Sequence, residues 1–133
     1  MQKEGIKIRS GLKGSGSARG MAHIGVIQLL EAYHIPIDMI AGTSIGSVVG
    51  SVYATGASVK QMKEAALAMK WSKTISLMVP TLPYSGLISG NRAEEILKKL
   101  ALKDKTFDDL KIPFAAVATD IKTGAKVILN QGV

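Results

Sequence analysis

The fold is decided by the segment Ile37-Asp38-Met39-Ile40-Ala41-Gly42-Thr43-Ser44-Ile45-Gly46-Ser47, because its pattern changes from that of a strand to that of a helix within a few residues. Residues 37–41 form a short, mostly apolar run bounded by a proline and a glycine, which predicts a strand. From residue 45 to residue 54 the apolar residues follow helical spacing, and Gly56 can end the helix. Strand, tight turn and helix in this order are typical of α/β proteins.

The flanking segments extend this α/β pattern. Before the deciding segment, residues 6–13 predict a strand, a glycine-rich loop follows, and residues 21–33 predict a helix. The elements predicted after it are a helix over residues 59–69 with Ser58 as N-cap, an irregular apolar loop over 71–90, a helix over 91–100, and strands over 113–119 and 125–129 joined by a turn at 120–124.

Composition excludes several classes of protein. The chain has 133 residues, 17 Lys and Arg against 10 Asp and Glu, 47% hydrophobic residues and no cysteine. This composition does not fit a disordered chain, a disulfide scaffold or a thiolate metal site, and the length suits one domain. Residues 1–9 lack the apolar run of a secretory signal, so we expect a cytoplasmic protein.

The central motif matches the G-x-S-x-G nucleophile elbow, with Ser44 as the candidate nucleophile and Gly42, Thr43, Ile45 and Gly46 around it. A serine on a sharp strand-to-helix turn exposes its hydroxyl above the sheet, and the glycines let strand and helix approach closely. One alternative is a membrane-spanning helix over residues 39–57, which carry no charge and have small residues at four-residue spacing. We favour the elbow because the remainder of the chain has a globular pattern.

A second glycine cluster, at residues 14–20, precedes the first predicted helix and can direct several backbone N–H groups at one anion. We favour an oxyanion hole, with these candidate residues: Gly14, Gly16, Ser17, Arg19 and Gly20. A dinucleotide loop fits less well, because the third glycine of G-x-G-x-x-G is replaced by Arg19. A non-catalytic α/β module that binds an anion or nucleotide at this loop stays open as the alternative function.

The residues alone do not identify a base for Ser44. His23 and His34 are candidates, but each lies where a packed or helix-terminal histidine is expected. Asp120 lies at a strand end, where a turn-forming aspartate is the more common role. The scattered acids and two histidines have no metal-ligand spacing, so no metal and no cofactor are expected.

Two blocks of the sequence resemble the patatin-like phospholipases, in particular their bacterial members. They are Gly-Ser-Gly-Ser-Ala-Arg-Gly-Met-Ala-His-Ile-Gly-Val at residues 14–26 and the segment at residues 37–47. The resemblance extends more loosely through Gly56, residues 86–92 and residues 118–124, so it covers essentially the whole chain.

The resemblance implies a three-layer α/β/α sandwich with a mainly parallel sheet, in which a Ser-Asp dyad without histidine cleaves fatty-acyl esters of lipids. Ser44 is then the nucleophile, and the glycine loop with Arg19 supplies the oxyanion hole. The family's dyad aspartate belongs to an Asp-Gly motif, and this sequence has no Asp-Gly pair. We therefore expect residues 1–133 to be the N-terminal part of a single domain, truncated before the general base. A further alternative is a fragment that has the elbow but no base and is inert alone.

The expected substrate is a phospholipid or another fatty-acyl ester. The excess of basic charge favours anionic lipid surfaces, and Trp71 with the apolar loop through Leu82 could form a lid or an interfacial patch. We therefore expect peripheral contact at the inner face of the membrane. A nucleic-acid partner is not expected, because the sequence has no basic helix face with interleaved aromatics. The sequence does not indicate an oligomeric state.

Overall fold

A computed structural model of the chain describes residues 20–68, 98, 102–103 and 105–132. The described elements, in chain order, are helix α1 (Gly20–Ala32), strand β1 (Ile40–Gly42), helix α2 (Ile45–Ala54), helix α3 (Val59–Ala68), a 3-10 turn (Phe107–Asp109), strand β2 (Phe114–Thr119) and strand β3 (Lys126–Leu129). Together they form a mixed α/β fold.

The three described strands form one mixed sheet in the order β1-β2-β3. β1 pairs parallel with β2, in a register that places Ile40 beside Phe114 and Gly42 beside Ala116. β2 pairs antiparallel with β3. Because parallel strands end at the same edge of a sheet, the residues after β1 and those after β2 lie at that shared edge.

Helix α2 is the central element of the core. It packs on β1 and β2, and both α1 and α3 pack on it. Gly50 permits this close approach, since a Cβ there would lie 2.9 Å from Cγ2 of Ile40 and 3.1 Å from Cε2 of Phe114. The buried apolar residues of the core are Ile24, Ile27, Ile40, Ile45, Val49, Val52, Ala54, Val59, Met62, Ala66 and Phe114.

The helix and hairpin predictions are confirmed where the structure describes them. α2 has the predicted bounds: it ends at Ala54, Thr55 is its C-cap, and Gly56 follows with a φ of 91°, which is strained for other residues. Ser58 caps α3 as predicted: its Oγ accepts the Gln61 N–H at 3.2 Å, and Gln61 Oε1 accepts the Ser58 N–H at 2.9 Å. The predicted antiparallel hairpin joins β2 and β3.

Strand β1 is shorter and later than predicted, covering residues 40–42 instead of 37–41. β1 begins at Ile40 because its hydrogen bonding to the neighbouring strand begins there: the Ile40 N–H donates to the carbonyl of Pro113, the residue before β2, at 2.9 Å. The 3-10 turn at Phe107–Asp109 was not predicted. Predictions over residues 6–13, 71–90 and 91–100 lie outside the described residues, apart from Lys98.

The membrane-spanning alternative over residues 39–57 is wrong, because that stretch divides into β1, a turn and the ten-residue α2. Within the described part of the chain, the helices are too short or too polar to cross a bilayer.

Candidate active site

Ser44 occupies the turn between β1 and α2, with φ 52° and ψ −128°. This backbone conformation is unusual for a residue with a side chain and costs on the order of 1–3 kcal/mol. The residue is exposed, and its hydroxyl makes no cap hydrogen bond to the helix it precedes. Among the described residues the Ser44 hydroxyl therefore has no hydrogen-bond partner, and the turn exposes it at the carboxyl end of β1.

Gly42 makes this tight turn sterically feasible. A Cβ at Gly42 would lie 2.5 Å from the Gly46 carbonyl oxygen and 2.6 Å from the Ser47 nitrogen, both of which are backbone atoms. Strand and helix thus approach so closely that only hydrogen fits between them. This contact explains physically the first glycine of the G-x-S-x-G pattern.

Backbone hydrogen bonds close the turn and place it at a helix N-terminus. The Gly46 N–H donates to the Thr43 carbonyl at 3.0 Å, and the Ser47 N–H donates to the Ser44 carbonyl at 2.9 Å. Among the described residues the Ile45 N–H has no hydrogen-bond acceptor, and it lies at the N-terminus of α2, where the helix dipole has its positive end. Negative charge that develops beside Ser44 is stabilised by this arrangement.

The predicted oxyanion residues Gly14, Gly16, Ser17 and Arg19 lie outside the described residues. Gly20, the last residue of that loop, is the first residue of α1. Helix α1 packs on α2, and Glu31 near the end of α1 accepts a hydrogen bond from Tyr53 near the end of α2. This hydrogen bond joins the C-terminal parts of the two helices.

The three candidate bases occupy different environments. His23 is half-buried on α1, and His34 is exposed just after it, with a φ of 53°. Asp120 follows β2 and therefore lies at the same sheet edge as Ser44. However, its Oδ1 accepts the Lys122 N–H at 2.8 Å, and its backbone bonds Ala125 and Gly124 across the hairpin turn.

The ionisation of Asp120 also fits a turn-forming role. The pKa of its carboxyl is lowered, chiefly by the Lys122 backbone N–H and further by the Thr123 hydroxyl. A general base working near neutral pH benefits from a raised pKa, which is the opposite shift. The turn-forming interpretation of Asp120 is therefore favoured by the geometry.

Across residues 20–68 and 105–132, no three His, Asp or Glu side chains come together as a metal-binding group. A strand, a strained serine turn and a helix on an α/β core have the order and backbone geometry that a nucleophile elbow requires.

The family follows from comparison with known proteins. The family model for patatin-like phospholipases matches residues 13–132, and the chain belongs to that family. It is 35% identical over 124 residues to patatin-like phospholipase domain-containing protein 6 of Homo sapiens, and 32% identical to patatin-like phospholipase domain-containing protein 7 of Rattus norvegicus. It is 39% identical over 123 residues to an NTE family protein of Mycobacterium tuberculosis.

These alignments cover 90% of this chain but unequal shares of the relatives. The chain spans 9% of the two mammalian proteins and 32% of the mycobacterial one. The alignment therefore relates this chain to one region of each larger relative.

Proposed function

We propose that this chain carries the nucleophile of a serine acyl hydrolase that acts on lipids. The observation that supports it most is the exposed Ser44 hydroxyl in a strained turn at the N-terminus of α2. In the proposed reaction, Ser44 Oγ attacks the ester carbonyl carbon and gives up its proton to a base. The alcohol then leaves with a proton, and water hydrolyses the acyl-enzyme.

The oxyanion of the tetrahedral intermediate is proposed to lie between two groups of N–H donors. One group is the glycine loop at Gly14, Gly16, Ser17, Arg19 and Gly20, and the other is the start of α2. Preorganised donors of this kind are worth about 3–4 kcal/mol each to the transition state. The contact between α1 and α2 supports the pairing, because α1 begins at Gly20, the last residue of the loop.

The proposed base is an aspartate that forms a Ser-Asp dyad with Ser44 and is supplied from outside the 133 residues. In this proposal residues 1–133 are the N-terminal part of one patatin-like domain with three α/β/α layers. The face of the sheet that points away from α2 supports the third layer. Its residues Ala41, Ala115 and Val117 are apolar and are not fully buried, and they alternate along the strands with the residues that face α2.

The proposed substrate is a phospholipid or a related fatty-acyl ester, met by a cytoplasmic protein at the inner face of the membrane. Family membership and the net charge of +7 support this substrate and this location. The interfacial patch predicted at Trp71 to Leu82 lies outside the described residues and stays a prediction.

Covalent labelling tests the proposed nucleophile. The protein, expressed from its complete reading frame, is treated with a fluorophosphonate, and the labelled peptide is mapped by mass spectrometry. We expect the label on Ser44, no label and no ester hydrolysis in Ser44→Ala, and normal labelling in the control Ser47→Ala, which changes the neighbouring serine of α2. Full activity in Ser44→Ala would remove Ser44 from the mechanism, and nucleotide binding without labelling would favour the anion-binding module.

A further inference from the structure

Strand β2 continues past the point where β1 turns toward α2. Gly42, the last residue of β1, is paired with Ala116, whereas β2 runs on to Thr119. At about 3.3 Å per residue, Ala118 lies roughly 7 Å beyond the level of Gly42, on the strand next to it. The end of β2 therefore stands beside the turn that holds Ser44.

Helix α2 runs back along the strands from this turn and does not cover the end of β2. A Cβ at Gly42 would lie 2.5 Å from the Gly46 carbonyl oxygen, and a Cβ at Gly50 would lie 2.9 Å from Cγ2 of Ile40, so the helix is antiparallel to β1. Because Ile45 is the first residue of α2, the helix begins near the level of Gly42. Sheet residues beyond that level face the space in front of the helix N-terminus.

Alternation along β2 directs Ala118 into this space. The Phe114 ring faces α2, since its Cε2 would lie 3.1 Å from a Cβ at Gly50. Side chains two residues apart in a strand point to the same face, so Ala116 and Ala118 share the face of Phe114. Burial falls along this face, from buried Phe114 through half-buried Ala116 to exposed Ala118. The Ala118 methyl group therefore borders the space in front of the helix, where the exposed Ser44 lies.

Strand β3 continues this apolar face away from Ser44. Val127 is paired with Ala118 and Leu129 with Ala116, and directly paired residues of antiparallel strands have their side chains on the same face. Val127 is 38% exposed and Leu129 is 49% exposed, whereas the charged Lys126 belongs to the opposite face. Ala118, Val127 and Leu129 thus form an exposed apolar surface, the β2–β3 face, which begins beside the serine turn.

We infer that the β2–β3 face binds the acyl chain of the ester that Ser44 attacks, with Ala118 nearest to the reacting carbon and Val127 and Leu129 farther along the chain. This inference rests on the proposed function, because it assigns the substrate of the same serine. An apolar chain fits this surface, since a polar or charged group would lose water there and gain no hydrogen bond from these side chains. The small side chain of Ala118 leaves room for the carbons next to the ester, so long acyl chains should be preferred to short ones.

Hydrolysis of p-nitrophenyl decanoate and p-nitrophenyl butyrate tests this assignment in the protein from its complete reading frame. The measured quantity is kcat/KM for the decanoate divided by kcat/KM for the butyrate. Val127→Thr keeps the shape and strand propensity of the side chain but makes it polar, and we expect the ratio to fall roughly tenfold. The matched control Ile128→Thr makes a similar change on the opposite face and should keep the wild-type ratio. Ala118→Leu should lower the ratio by roughly tenfold or more, because the larger side chain occupies the space of the longer acyl chain.

Thermal unfolding of the same variants shows whether each one is folded, and Ala118→Leu decides if Val127→Thr does not fold. An unchanged ratio in either folded variant would overturn the inference, and so would an equal fall in Val127→Thr and Ile128→Thr. A lowered Tm with an unchanged ratio would show that the β2–β3 face packs against another part of the protein. These results leave Ser44 as the proposed nucleophile, whereas full hydrolysis by Ser44→Ala, or none by wild type, would overturn the proposed function as well.

Discussion

At the scale of single residues, alanine substitutions at Gly42 and Gly25 should change the stability of the fold in opposite directions. A Cβ at Gly42 would overlap the backbone of Gly46 and Ser47, whereas a Cβ at Gly25 would meet nothing within 4 Å. We therefore expect Gly42→Ala to destabilise the fold by about 3 kcal/mol, because backbone atoms must move. Gly25→Ala should stabilise α1 by up to about 1 kcal/mol, since alanine favours helix. Urea unfolding of the two variants measures the contrast, and equal stabilities would contradict it.

The strain at Ser44 gives a second residue-scale prediction. Ser44→Ala removes the hydroxyl but keeps a Cβ at φ 52°, whereas Ser44→Gly also removes the steric cost. We expect Ser44→Gly to be more stable than Ser44→Ala by about 1 kcal/mol in urea unfolding, and neither to be labelled by a fluorophosphonate. A glycine variant less stable than the alanine variant would show that the turn is not strained.

At the scale of elements, the hairpin between β2 and β3 decides the role of Asp120. Asn at this position keeps an oxygen that can accept the Lys122 N–H, so Asp120→Asn should preserve the turn. We expect ester hydrolysis and fluorophosphonate labelling within about twofold of wild type, because the carboxylate is a turn residue and not the base. Loss of a general base costs roughly a hundredfold or more. A loss of that size in Asp120→Asn, with an unchanged Tm, would make Asp120 the dyad partner.

The elements also show which features a sequence can predict. Gly56, Ser58 and the G-x-S-x-G motif were interpretable because each acts through its own backbone and its nearest neighbours. The bounds of β1 could not be predicted from the sequence, because they depend on the hydrogen bond between Ile40 and Pro113, which joins distant parts of the chain. The 3-10 turn had a local signal that was missed: Thr106 and Asp109 form a capping box.

At the scale of the whole molecule, the candidate site combines elements that the sequence places far apart. The serine turn follows from local chemistry, but its surroundings depend on the parallel pairing of β1 with β2 and the packing of α1 on α2. Sequence spacing does not encode those relations. The positions of the oxyanion donors at residues 14–19 depend on them in the same way, so those donors stay a prediction.

Two groups at opposite ends of the titration scale should contribute to the pH dependence of stability. The pKa of Asp109 is lowered, chiefly by the Thr106 backbone N–H, so its contribution is present above the usual aspartate pKa and is lost as the pH falls through the lowered value. The pKa of Tyr53 is raised from 10.0 to about 12, so its contribution is complete below pH 10 and is lost as the pH rises through 12.

Urea unfolding midpoints, measured from acid to alkaline pH, test both the acid and the alkaline loss of stability in the same protein. Asp109→Asn keeps an acceptor for Thr106 but does not titrate there, so its stability should fall less than that of wild type on acidification. The acid loss should reach the core, because Asp109 caps the 3-10 turn whose Phe107 ring stacks on buried Phe114 with centroids 6.0 Å apart. Tyr53→Phe should lose less stability than wild type between pH 10 and pH 12. If the urea midpoint changes with pH in the same way in wild type and in a variant, the hydrogen bond which that variant alters does not couple to folding.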